Sequence, residues 1–192
     1  MEVKVCPLTR GLTDDFIRFF DDAAFTDNKE WAGCYCYFYH YERSDEEFNQ
    51  RTGESNRLSS INLIQEGKMK GYLAYHNGEP VGWCNANDKI NYTRLVSNHE
   101  VFDEAGKKIC SIVCFVIAPE YRKKGIASQL LKEVCSDYAD KGYEYVEAYP
   151  RKGELTSAQH YHGPLSMYLK AGFFLHKEFA NYYIVRKKIN KG

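Results

Sequence analysis

Between Lys108 and Tyr138 the chain reads KICSIVCFVIAPEYRKKGIASQLLKEVCSDY, and this run limits the fold more than any other. Lys108–Ile117 is almost continuously apolar, as a buried strand is. Pro119 turns the chain sharply, and Arg122-Lys123-Lys124 follows. Gly125 then opens a helix to Tyr138, with Ile126, Leu130, Leu131, Val134 and Tyr138 on one side. A strand that passes through a basic, glycine-containing turn into a helix builds an anion site. The first N–H groups of the helix have no intrahelical partner, and the helix dipole puts partial positive charge there. Gly125 and Ala127 are small where a bulky side chain would keep a phosphate from the backbone. Charge-assisted hydrogen bonds from Arg122 to Lys124 would each contribute about 1.5–3 kcal/mol. Taken alone, the short basic run favours a plainer reading, a solvated strand–turn–helix.

Other phosphate sites are excluded by spacing. No two glycines stand two apart, so GxGxxG is absent, and GxxxxGK[ST] does not occur. The 192 residues suit one domain, 1–192, with a substantial core. Basic and acidic side chains balance at 26 each, which argues against a general nucleic-acid binder. No apolar run reaches the roughly 20 residues of a membrane span, and the first residues lack a signal core. Seven cysteines without a disulfide framework then read as reduced thiols in a cytoplasmic protein.

Elements follow from periodicity. Glu2–Cys6 alternates as a strand, and Thr13 caps a helix over Asp14–Asp22. Trp31–Tyr41 fits a strand or a helix, and periodicity does not choose. Ser44–Ser55 reads as a loop or short exposed helix. Arg57–Glu66 is a helix with Leu58, Ile61 and Ile64 inward, stopped by Gly67. Gly71–His76 and Pro80–Asn85 are strands joined by Asn77-Gly78, a strong hairpin signal. Tyr143–Tyr149 alternates as a strand, and Pro150–Tyr161 is a polar loop. Leu165–Lys170 is a short helix, and Phe173–Glu178 and Asn181–Lys187 are closing strands. The fold class is therefore α/β (α+β): a mixed, mostly antiparallel central sheet with helices on both faces.

The strand–turn–helix and its neighbours carry a family resemblance. Arg122–Ala127 resembles motif A, [QR]-x-x-G-x-[GA], of the GNAT family of N-acetyltransferases. Phe115–Arg122 is similar to that family's LxVxPxYR approach. Pro164–Phe173 (PLSMYLKAGF) resembles its A-x-x-x-Y-x-K-x-G-F segment, departing at Pro164. Gly71–Asn85 resembles its second-to-third-strand hairpin. The likeness covers Gly71–Lys187 and is weak before about Arg57. It implies that acetyl-CoA is the co-substrate. The turn amides from Arg122, Lys123, Lys124, Gly125, Ile126 and Ala127 would hold its pyrophosphate. Backbone groups around Phe115, Val116 and Ile117 would pair with the pantetheine arm and polarise the acetyl carbonyl. Tyr168 falls where the family carries its general acid. A phenol titrating at about 10 can protonate or hydrogen-bond a thiolate whose conjugate acid titrates at about 8.5.

An alkylamine with a pKa of about 10.4 must lose a proton to react at neutral pH. Glu147 is the candidate base, with His160 and His162 as alternatives. For each, a structural role is the simpler reading. Cys34-x-Cys36 with His40 lacks the second pair that a structural zinc site needs, so no metal is expected. Cys110 and Cys114 would share one strand face as core packing. The aromatics of Trp31–Tyr41 line the acceptor pocket, cover a homodimer interface or belong to the core; all three stay open. The expected function is acetyl transfer to a primary amine, on a small molecule or a peptide, by direct attack. The rivals are a non-catalytic acyl-CoA-binding domain, an acyl-cysteine enzyme and a nucleic-acid binder using Arg122–Lys124. No nucleic-acid or membrane partner is expected.

Overall fold

The computed structural model describes residues 1–102, 106–156 and 159–189. Among the described residues seven strands form one sheet: β1 (Lys4–Pro7), β2 (Gly71–His76), β3 (Glu79–Asp88), β4 (Ile109–Ile117), β5 (Tyr145–Ala148), β6 (Phe174–Glu178) and β7 (Tyr183–Lys188). Their spatial order is β1-β2-β3-β4-β5-β7-β6. Only β4 and β5 run parallel; the other neighbours are antiparallel. The expected class therefore holds. Residues 157 and 158 of the expected Pro150–Tyr161 loop lie outside the described residues. Among the described residues no helix is long and apolar enough to cross a membrane.

The helices are α1 (Thr13–Arg18), α2 (Asp45–Asn49), α3 (Gly53–Gln65), α4 (Thr93–Val96), α5 (Ile126–Asp140) and α6 (Leu165–Lys170). Each sheet face has its own core. Phe16, Phe19, Ile64, Trp83 and Val113 belong to one, packed under α1 and α3. Ile112, Ile126, Leu130, Val134 and Tyr168 belong to the other, under α5 and α6. The apolar stripe expected on α5 is the one it buries.

β4 carries the irregularity that matters. Opposite β3, Asn85 pairs with Cys114 and Ala86 with Ile112, so Val113 is an extra, bulged residue. Consecutive Val113 and Cys114 therefore face the same core. Cys110, four residues back, faces the other core. This corrects the expectation that Cys110 and Cys114 share a face: the period of two fails across a bulge.

Three local expectations also shift. Thr13 does not cap α1; its hydroxyl donates to the Arg10 carbonyl (2.7 Å). α3 starts before Arg57, at Gly53, because Thr52 accepts the Ser55 N–H (3.1 Å) as an N-cap. Its inward residues are Asn56, Ser60 and Ile64, whereas Leu58 is 51% exposed. Two of those inward residues are polar because they hold a loop rather than fill a core.

Candidate active site

β4 and β5 separate along their length. They pair from Ile109–Tyr145 to Ile112–Ala148 and no further. Beyond Ala148 the chain stays with the β7 side: the Tyr183 N–H donates to Pro150 (2.9 Å), and Arg151 bridges Tyr182. β4 instead continues to Ile117 along β3. Every second residue of Val113–Ile117 thus turns backbone groups away from β3 with no strand to receive them. A cavity of about 1010 Å³ opens on this edge, lined by Cys114, Phe115, Val116 and Ile117.

At one end the cavity meets the basic turn, where Arg122, Lys123, Gly125, Ile126 and Ala127 line it. Gly125, φ +83°, is the N-cap of α5, and Lys123 is also left-handed at φ +59°. The backbone reversal these angles produce aims the first amides of α5 outward, since its first helical bond runs from Gln129 to Gly125 (3.1 Å). A Cβ on Gly125 would meet no atom within 4 Å, so the space before the amides is open. The charges of the run are spent differently from one another. Arg122 is bound to the Ile117 carbonyl (3.1 Å) and the Asp27 carboxylate (3.1 Å), and so ties the turn to the loop after α1. Its charge lowers the Asp27 pKa through that hydrogen bond. Lys124 lies over the Tyr121 ring (5.2 Å) and is not part of the cavity wall. Lys123 is the lysine of the run that lines it.

The other end is aromatic, with Trp31, Phe38, Tyr39, Phe48 and Tyr161 on its wall. Trp31–Tyr41 is neither strand nor α-helix. Two 3₁₀ turns, Lys29–Cys34 and Phe38–His40, flank left-handed Tyr35 (φ +45°) and Cys36 (φ +54°). α3 holds this loop from below. Asn56 Nδ2 donates to the Gly33 carbonyl (2.8 Å), and Ser60 Oγ donates to that of Tyr35 (2.9 Å). Gly33 and Gly53 meet so closely that a Cβ on either would stand 3.2 Å from the other's Cα. Of the aromatic run, Trp31, Phe38 and Tyr39 reach the cavity wall; Tyr35, Tyr37 and Tyr41 do not.

A turn at Gln159–His162 packs against β4 in the gap that β5 leaves. His160 and Tyr161 line the cavity, and Tyr161 packs on Trp31 with ring centroids 5.2 Å apart. His162 is buried behind them, with Nε2 3.2 Å from the Tyr39 hydroxyl. Burial, with the nearby Arg151 charge, pushes its pKa down to about 3. Tyr168 is fully buried on α6, and its hydroxyl donates to the His162 carbonyl (2.6 Å). Gly163 (φ +76°) makes that contact feasible, since a Cβ there would lie 3.1 Å from the Tyr168 oxygen. Gly163, Pro164 and Met167 line the cavity, and Tyr168 stands one layer behind them. Burial raises its pKa, so the phenol keeps its proton.

Glu147, the candidate base, stands elsewhere. Fully buried, it pairs with Lys89 Nζ (2.7 Å) and Arg186 Nε (2.5 Å) and accepts from the Tyr149 hydroxyl (2.6 Å). It is not among the cavity-lining residues. The alternation of β5 put it beside Tyr145 and Tyr149 but did not say which neighbours would meet it. Sequence reasoning missed Arg51 and Tyr161 on the cavity wall. Arg51 directly precedes the Thr52 cap, and that cap was a usable signal for where α3 begins. Among the described residues no group of histidine, cysteine and carboxylate side chains is placed to hold a metal.

Comparisons with known proteins agree with this architecture. The sequence model of the acetyltransferase (GNAT) family matches residues 10–173. No curated relative matches the sequence. Among solved structures, the PaiA N-acetyltransferase from Thermoplasma acidophilum, in complex with coenzyme A, is similar at TM-score 0.58 and 17% identity, over 98% of this chain and 99% of that one. The polyamine N-acetyltransferase of Drosophila melanogaster gives TM-score 0.56 and 10% identity, over 96% and 98% of the two chains. The ribosomal-protein-S18-alanine N-acetyltransferase of Escherichia coli gives 0.52 and 11%, over 100% and 96%.

Proposed function

The chain belongs to the acetyltransferase (GNAT) family, and on that footing we propose that it transfers an acetyl group from acetyl-CoA to a primary amine. The observation that carries the reading is the free edge of β4 running into the open turn at Gly125 within one cavity. That shape suits an extended arm ending in a pyrophosphate. The groups of Val113–Ile117 that β3 leaves free, other than the Ile117 carbonyl held by Arg122, hydrogen-bond the arm as an added strand would. The amides from Lys123 to Ala127 receive the pyrophosphate, with Lys123 adding charge. The PaiA protein crystallised with coenzyme A supports the choice of ligand.

The amine enters from the aromatic end and attacks the thioester directly. A nitrogen–carbon bond forms and the carbon–sulfur bond breaks. The proton lost by nitrogen balances the one gained by the departing thiolate. A β4 N–H polarises the carbonyl as its oxygen takes up charge. Tyr168 is the acid: its hydroxyl turns from the His162 carbonyl toward the sulfur. Glu147 has a structural role, since its carboxylate already carries two cations and a hydroxyl. The setting we propose is cytoplasmic, in keeping with seven free cysteines. The test is thiol release from acetyl-CoA with an amine panel, read beside coenzyme A affinity. Amine-dependent release supports transfer, and binding without turnover would leave a coenzyme-binding domain instead.

A further inference from the structure

We infer that the acceptor carries a carboxylate, and that Arg51 at the aromatic end of the cavity holds it. This rests on the acetyltransferase reading of the site. Arg51 lines the cavity in front of α3. Its guanidinium is immobilised: Nε donates to Asn56 Oδ1 (2.6 Å), and Nη2 donates to the Ser55 carbonyl (2.9 Å) and Ser59 Oγ (2.8 Å). Its Cζ lies 4.9 Å from the Tyr37 ring centroid and 5.1 Å from that of Tyr41. All of these partners are neutral. Among the described residues no carboxylate reaches Arg51, whereas Arg94, over the Phe38 ring, and Arg122, at the basic turn, are paired with Asp45 and Asp27.

A guanidinium held rigid without a counter-ion at an apolar wall is prepared for an anion. The ordering cost is met before the ligand arrives, and Nη1 keeps its donors for the ligand. The charge of the walls points the same way. Glu30 is the only carboxylate among the described lining residues, and Lys29 stands beside it. A polyamine would need several acids there. Trp31, Phe38 and Tyr161 give the wall apolar, aromatic surface for an apolar body. The acceptor class is therefore an amine with one carboxylate and a large apolar side chain, which is an aromatic or bulky aliphatic amino acid.

The experiment pairs phenylalanine with phenethylamine, its decarboxylated counterpart, and adds spermidine. Thiol release from acetyl-CoA is followed for the wild type, Arg51→Gln and Arg51→Lys, with coenzyme A affinity measured by calorimetry. The wild type is expected to favour phenylalanine by at least tenfold in kcat/KM over both other amines. Arg51→Gln should lose most of that ratio, and Arg51→Lys should keep part of it. Coenzyme A affinity should stay within twofold in both variants. A wild-type ratio of one or less, or an unchanged ratio in Arg51→Gln, overturns the inference. Turnover of spermidine alone overturns it while leaving acetyl transfer intact. Failure to bind coenzyme A would remove the donor reading itself, and the inference with it.

Discussion

At the residue scale, two positions separate donor binding from chemistry. Gly125 is left-handed, a conformation that costs an ordinary L-residue about 1–2 kcal/mol. The space a side chain would enter is open, so Gly125→Leu should fold with modest loss. Calorimetry should nevertheless find coenzyme A affinity reduced by more than tenfold, because the leucine occupies the place proposed for the pyrophosphate. Tyr168→Phe removes only a hydroxyl. Its loss leaves the buried His162 carbonyl without that donor and should cost about 1–3 kcal/mol in denaturant unfolding. If Tyr168 is the acid, kcat should fall by at least tenfold while the KM for acetyl-CoA stays within about twofold. A purely structural Tyr168 would leave kcat unchanged in the folded fraction.

Among the elements, β4 and the aromatic loop show what a sequence discloses and what it conceals. The apolar run, Pro119, the basic turn and the amphipathic helix were all legible, because each depends on local residue type and period. The bulge at Val113 was not, since it is defined by the register against β3. Trp31–Tyr41 defeated periodicity for a related reason: its shape comes from left-handed Tyr35 and Cys36 and from hydrogen bonds to α3. The same bonds explain why α3 has polar residues inward. Asn56 is the shared member, donating to Gly33 and accepting from Arg51. Asn56→Leu should therefore raise acceptor KM several-fold in steady-state kinetics and lower stability by about 1–3 kcal/mol. Coenzyme A affinity should barely move, because the loop contacts the other end of the cavity.

For the whole molecule, the fold class and most elements followed from hydrophobic pattern and turn chemistry, as two cores on one sheet allow. The buried charges did not. Glu147 was a candidate base with a structural role as the simpler reading, but alternation could not name its partners, Lys89 before β4 and Arg186 on β7, which are distant in sequence. Removing one member of such a cluster leaves uncompensated charge, so Glu147→Ala should lose about 3–5 kcal/mol in denaturant unfolding. His162 sets an acid limit. Burial pushes its pKa down to about 3 in the folded chain, from the ordinary value of about 6.5 when unfolded. Its contribution to stability is complete above pH 6.5 and is lost as pH falls toward 3, by up to about 1.4 kcal/mol per unit. Unfolding midpoints measured from pH 7 to 4 should fall with acid, and His162→Gln should flatten that slope. The most direct test of acetyl transfer is product analysis: incubate the purified protein with acetyl-CoA and an amino acid, and weigh the amine by mass spectrometry. An N-acetylated product formed in step with released thiol is the predicted result. Saturable coenzyme A binding with no acetylated amine and no thiol above spontaneous hydrolysis would contradict it.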